Sequence, residues 1–194
     1  MNDKAMREVF RDLPQLTADR VILKKVSMQD AWDMYDYASM EDTARYLLWT
    51  PHLNIDESRG LIDWLTKQYR KGVYADWGVY HRDTMRLIGT VGFAHIDQPN
   101  DRAEVGYVLS PRYWGRGYMG EAVERLMYLA FYKLQINRLE LRIMEGNTNS
   151  CRFAEHHGYK LEGRGVNELL VKGSYRTILH YALLRDEYLQ THNI

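Results

Sequence analysis

The sequence has a single cysteine, Cys151, so no disulfide can form within the chain and a reducing compartment is expected. Proline is scarce, with four in 194 residues, and no Pro-, Gly- or Ser-rich linker, repeat or low-complexity tract divides the chain. That leaves no signal for a domain boundary. The expectation is one domain over residues 1–194, long enough to bury a core without disulfides or metals. No run approaches the ~20 apolar residues of a membrane span. Met1 to Pro14 mixes charged and apolar residues and does not read as a secretory signal. Neither sign of charge is in excess, since 26 Lys and Arg match 26 Asp and Glu. This disfavours a general nucleic-acid binder, whose affinity comes largely from phosphate neutralisation. A soluble, cytoplasmic protein with no nucleic-acid and no membrane partner is expected.

Aromatic residues are abundant, with fifteen Tyr and five Trp. They suit either a ligand cleft or a tyrosine-rich core. The apolar spacing predicts a strand over 20–26, a helix over 29–38 and an amphipathic helix over 55–71, with Asp56 and Glu57 in its first turn. Three strand-like runs follow, over 75–81, 87–96 and 103–109. Turn signals at Arg82-Asp83 and Pro99-Asn100-Asp101 separate them, and links this short imply antiparallel pairing. A helix over 117–134, a strand over 139–144, a short helix over 150–156 and strands over 159–162 and 176–184 complete the chain. The fold class is therefore α/β (α+β), a mixed and mostly antiparallel sheet flanked by helices.

The segment with most chemical content runs from Glu104 to Ala122, where a strand enters a basic, glycine-rich loop that opens a helix. Unpaired N–H groups at the positive end of a helix dipole make an anion site. Gly115, Gly117 and Gly120 let backbone approach a diphosphate, and Arg112 and Arg116 can supply charge. A tight strand-to-helix turn alone would not call for three glycines and two arginines within nine residues. Gly115-Arg-Gly117-Tyr-Met-Gly120 also fits the dinucleotide fingerprint G-x-G-x-x-G. Against that reading, Ser110 to Trp114 separate the strand from the first glycine, and the preceding strands are antiparallel. Glu140 also lies inside an apolar run rather than at a strand end.

Arg112-x-x-Gly115-x-Gly117 resembles the Q/R-x-x-G-x-G/A signature of GNAT acyltransferases, and the likeness extends over roughly Leu16 to Tyr188. Thr17-Ala-Asp-Arg20-Val-Ile-Leu, Leu87-Ile-Gly-Thr-Val-Gly-Phe93, Ala103-Glu-Val-Gly-Tyr107, Trp114-Gly-x-Gly-x-x-x-Glu121, Asn137-Arg138 and His157-Gly158-Tyr159 are similar, in order, to RimJ/RimL-type members. The resemblance implies a GNAT fold and transfer of an acetyl group from acetyl-coenzyme A to a primary amine. A protein N-terminus, such as that of a ribosomal protein, is the first acceptor it suggests. A small-molecule amine such as a drug or polyamine is the alternative, as is a non-catalytic acyl-CoA sensor. A homodimer is expected from the resemblance alone.

In such enzymes the amine attacks the thioester directly. An α-amine, with a pKa near ~8, must first lose a proton, and the departing thiolate benefits from a donor. The resemblance assigns the pantetheine arm to the strand Tyr107, Val108 and Leu109, and the diphosphate to the loop from Arg112 through Gly115, Arg116, Gly117, Tyr118 and Met119 to Gly120. Asn147 is either a further contact to that arm or a helix N-cap. Many relatives carry a tyrosine seven residues after that asparagine, where this chain has Ala154. Ser150, three after Asn147, matches the serine of RimL-type members, and the resemblance implies that it is the thiolate donor; the alternative is a helix-start hydroxyl only. The resemblance also implies the candidate bases: Glu168, one residue away from the spacing of a RimL-type glutamate, and Glu104, acting through a water as in other GNAT branches. Trp49, His52 and Trp77 are candidates to line the acceptor cleft or to pack in the core. Cys151 reads as a small packed side chain. His156-His157 lacks the i, i+4 spacing of a helical metal site, so no metal is expected. Thr177 occupies a position where the resemblance leads one to expect an aspartate.

Overall fold

A computed structural model describes residues 2–72 and 76–192. The chain forms one eight-stranded sheet in the order β1-β2-β3-β4-β5-β6-β8-β7. Its strands are β1 (Leu16–Thr17), β2 (Val21–Lys24), β3 (Trp77–His81), β4 (Leu87–Asp97), β5 (Arg102–Leu109), β6 (Arg138–Met144), β7 (Lys160–Val171) and β8 (Ser174–Leu184). Every neighbouring pair is antiparallel except β5 and β6. The mixed, mostly antiparallel sheet matches the reading of the sequence. The expected strand start at Ala75 lies outside the described residues.

Helices α1 (Asp3–Asp12), α5 (Tyr118–Tyr128), α6 (Thr148–His156) and α7 (Arg185–Thr191) pack over one face. The contacts that place them there run through α5 and the π-helical turn over Leu129–Lys133 that continues it. Asn2 N–H donates to Leu134 O, Gly120 lies against His157, and Tyr188 packs on Phe131. Helices α2 (Ala31–Ala38) and α4 (Ile55–Lys71), with the short α3 (Glu41–Ala44), lie on the opposite face. There Tyr80 donates to Asp30 and Tyr69 to the carbonyl of Asp76.

Helices α1, α3 and α7 and the two-residue β1 went unread in the sequence, and β7 was read only in its first part. In α1 the residues Ala5, Met6, Val9 and Phe10 recur at helical spacing and are all buried, but the charges between them lower the segment's mean hydropathy. Burial of that stripe fixes Trp77, whose ring meets Phe10 and Phe93 and whose indole N–H donates to Pro14 O (2.8 Å). Strand β7 continues far beyond the expected Glu162, to Val171, because its two glycines and polar residues interrupt the apolar alternation that marks a strand. No helix among the described residues is long and apolar enough to cross a membrane.

Candidate active site

Strands β5 and β6 are parallel and in register only from Arg102 to Glu104 against Arg138 to Glu140. Beyond Glu104 they part, so the edge of β5 facing β6 has no strand partner over Tyr107 and Val108. The gap opens into a cleft of about 1460 Å³, lined by Tyr107, Val108 and Leu109, the glycine loop, Asn147 and Ser150. β5 and β6 are the one parallel pair in the sheet, joined by the α5 crossover rather than by a hairpin.

The floor of the cleft is the start of α5. Gly115 and Gly117 have φ of +70° and +81°, a conformation that side chains with a Cβ rarely adopt. The first bond of the helix runs from Glu121 N–H to Gly117 O, so the amides of Tyr118, Met119 and Gly120 have no partner within the helix. Gly120 serves a different need, because a Cβ there would stand 3.1 Å from Nε2 of His157, the residue that follows α6. Glu121 ties this helix start to β2 by accepting from Arg20 N–H (2.8 Å) and from its guanidinium. Folding redistributes the charges of the loop: Arg112 pairs with Asp36 of α2 (2.6 Å), and both Arg112 and Arg116 line a separate hollow of about 260 Å³. The cationic side chains on the cleft itself are Arg45 and Arg152, which no sequence motif singled out.

On α6, Asn147 is the N-cap and accepts from Ser150 N–H (3.3 Å), while its side chain also borders the cleft. Ser150 Oγ lies 2.6 Å from Tyr107 Oη, and the Tyr107 ring packs on Phe153. Burial pushes the Tyr107 phenol up to about 12.

Glu104 and Tyr107 are three residues apart on β5 and therefore project from opposite faces. On the open face, Arg142 of β6 lies 3.7 Å from Glu104 and 3.6 Å from Glu168, and Glu168 lies 2.6 Å from His180 Nε2. Burial raises the Glu104 carboxyl above its ordinary range, opposed by Arg142. The register of β7 against β8 shifts between Gly165 and Leu169, and Asn167 adopts φ +53°. This bulge folds Glu168 back over Gly165, where an added Cβ would sit 1.7 Å from Oε2. Between the pairs made by Gly165 and Leu169, β7 advances four residues while β8 advances two, so the bulge takes up two extra residues of β7. Neither glutamate lines the cleft with Ser150.

The three aromatic candidates for the acceptor side do not converge on the cleft. Trp77 is fully buried between α1 and β4 and is a core residue, a correction to its reading as a lining group. Trp49 packs against the core and against His52, whose Nδ1 lies 2.7 Å from the buried Ser58 hydroxyl. Burial lowers the His52 pKa. Cys151 is partly buried against the core. The carbonyl of Thr177 accepts from Glu145 N–H, but nothing in the structure explains a threonine at that position.

A family model described as an acetyltransferase (GNAT) domain matches residues 20–160. The chain belongs to the GNAT acetyltransferase family. It is 31% identical to the uncharacterised N-acetyltransferase p20 of Bacillus licheniformis, covering 89% of this chain and 97% of that protein. It is 24% identical to the ribosomal protein uS5-alanine N-acetyltransferase of Escherichia coli, over 90% and 92% of the two chains. A GNAT acetyltransferase structure from Bacillus anthracis superposes with a TM-score of 0.80 at 21% identity, covering 90% of this chain and all of the other. The family uses acetyl-coenzyme A.

Proposed function

We propose that this GNAT acetyltransferase acetylates a primary amine, and that a protein N-terminal α-amine is its acceptor. The observation that carries the reading is the splayed β5–β6 edge leading into glycine-bordered, unpaired amides at the start of α5. That arrangement suits an extended polyamide arm ending in a diphosphate, so the residues present fit acetyl-coenzyme A. Tyr107, Val108, Leu109 and Asn147 would hold the arm, and the amides from Gly117 to Gly120 the diphosphate. Bound there, acetyl-coenzyme A supplies an activated acyl group.

The protein's own residues then have three tasks. Ser150 offers a hydroxyl within the cleft to the leaving sulfur. Glu168 or Glu104 takes the proton of the incoming amine from the open face of the sheet. Glu168 is the better placed of the two for a fixed orientation, because Arg142 and His180 each approach one of its carboxylate oxygens. The uS5-alanine relative spans nearly the whole chain, which supports a protein N-terminus as acceptor.

The test is thiol release from acetyl-coenzyme A with peptides bearing free N-termini, the same peptides N-terminally blocked, and polyamines. Acetylation of the free N-terminus alone, located by mass spectrometry, is the expected outcome. Acetylation confined to polyamines or other small amines would overturn the acceptor assignment and leave the enzyme class in place.

A further inference from the structure

We propose that Tyr107 is a positioning residue for the leaving sulfur: its hydroxyl donates to Ser150 Oγ and turns the Ser150 O–H into the cleft. The proposal rests on the donor reading above and adds a residue to it. Seven residues after Asn147, where the resemblance leads one to expect a tyrosine, stands Ala154, a fully buried residue of α6. The phenol arrives instead from the opposite wall, on β5. The two hydroxyl oxygens are 2.6 Å apart, and both residues border the cleft. Tyr107 is held by Phe153 at a ring separation of 4.9 Å, one turn along α6 from Ser150.

The chemistry explains why a pair is better than a lone serine. Transfer forms a carbon–nitrogen bond and breaks the carbon–sulfur bond. The electron pair leaves on sulfur, and the amine's proton goes to a carboxylate or to water. A serine hydroxyl is a poor acid with a free rotor. A hydrogen bond accepted from Tyr107 fixes that rotor and polarises the O–H, since chained hydrogen bonds strengthen one another. The sulfur departs as a hydrogen-bonded thiolate and takes its proton from solvent afterwards, so neither hydroxyl is consumed.

Tyr107→Phe keeps the ring and its packing and removes only the hydroxyl. We expect kcat to fall about tenfold with the KM for acetyl-coenzyme A nearly unchanged, and Ser150→Ala to fall about a hundredfold. The double variant should be no slower than Ser150→Ala, because the phenol acts through the serine. A second measurement needs no acceptor. By calorimetry, affinity for free coenzyme A should rise with pH toward the thiol range near ~8.5. Desulfo-coenzyme A should show no such rise, and Tyr107→Phe should flatten it. Unchanged kcat in Tyr107→Phe, additive losses in the double variant, or an unflattened rise would each overturn the proposal alone. Failure of the wild-type protein to bind coenzyme A would overturn the donor reading and this proposal with it.

Discussion

The two sides of the β5–β6 gap are built by different means. On the α5 side the site is mostly backbone: strand edge, glycine loop and the orphan amides of a helix start. On the open side it is side chains that converge from four strands, Glu104 of β5, Arg142 of β6, Glu168 of β7 and His180 of β8. A backbone site is written in contiguous sequence, since glycines and a helix start must lie next to one another to form it. A side-chain site assembled across strands leaves no local trace. That difference is why the α5 side carries motifs and the open side carries scattered charges.

Four experiments break or sharpen this contrast. The largest effect belongs to neither half. Trp77→Ala should cost about 3–5 kcal/mol of stability by leaving a cavity between α1 and β4. Trp77→Phe should leave the KM for the amine unchanged, and a shifted amine KM there would restore Trp77 to the acceptor side. Next, Glu168→Gln should lower turnover about a hundredfold with coenzyme A affinity intact, as expected for loss of a general base. Gly165→Ala should fall in the same direction, since the new methyl displaces the Glu168 carboxylate; if Glu104→Gln shows the larger loss, the base lies on β5 instead. On the backbone side, Gly117→Val should weaken coenzyme A binding about tenfold, because a β-branched residue resists the +81° backbone and costs roughly 1–2 kcal/mol. Calorimetry would detect it, and unaltered affinity would remove the loop from the cofactor site.

The smallest effect is a pH dependence. The Glu104 pKa is raised in the folded protein, chiefly by burial. Its contribution to stability is therefore full below the ordinary value of 4.5 and is lost as pH rises through the elevated one. Glu104→Gln should accordingly gain in melting temperature at pH 7 relative to its parent, and the gain should vanish in acid. A gain that persists at low pH would assign the effect to packing.

Much of the fold was legible, because β3 to β5 and α4 to α6 carry clean periods and short links. The glycine loop and the N-cap asparagine were legible for the same reason. What escaped was whatever depended on a distant partner. Arg112 was read as a phosphate ligand, but Asp36, 76 residues away in sequence, holds it at the far side of the loop. Trp77 was ambiguous until α1 covered it. Tyr107 was read for its backbone, yet its hydroxyl meets Ser150 only because the crossover through α5 returns α6 to the same cleft.

The sequence by itself determined the strand and helix periods, the anion-ready loop and the membership of the GNAT family, since each depends on neighbouring residues or on motifs in order. Only the tertiary structure decided which hydroxyls, carboxylates and guanidiniums face one another. Pairing across a sheet depends on register and on bulges such as the one at Asn167, and a shift of one residue turns a side chain to the opposite face.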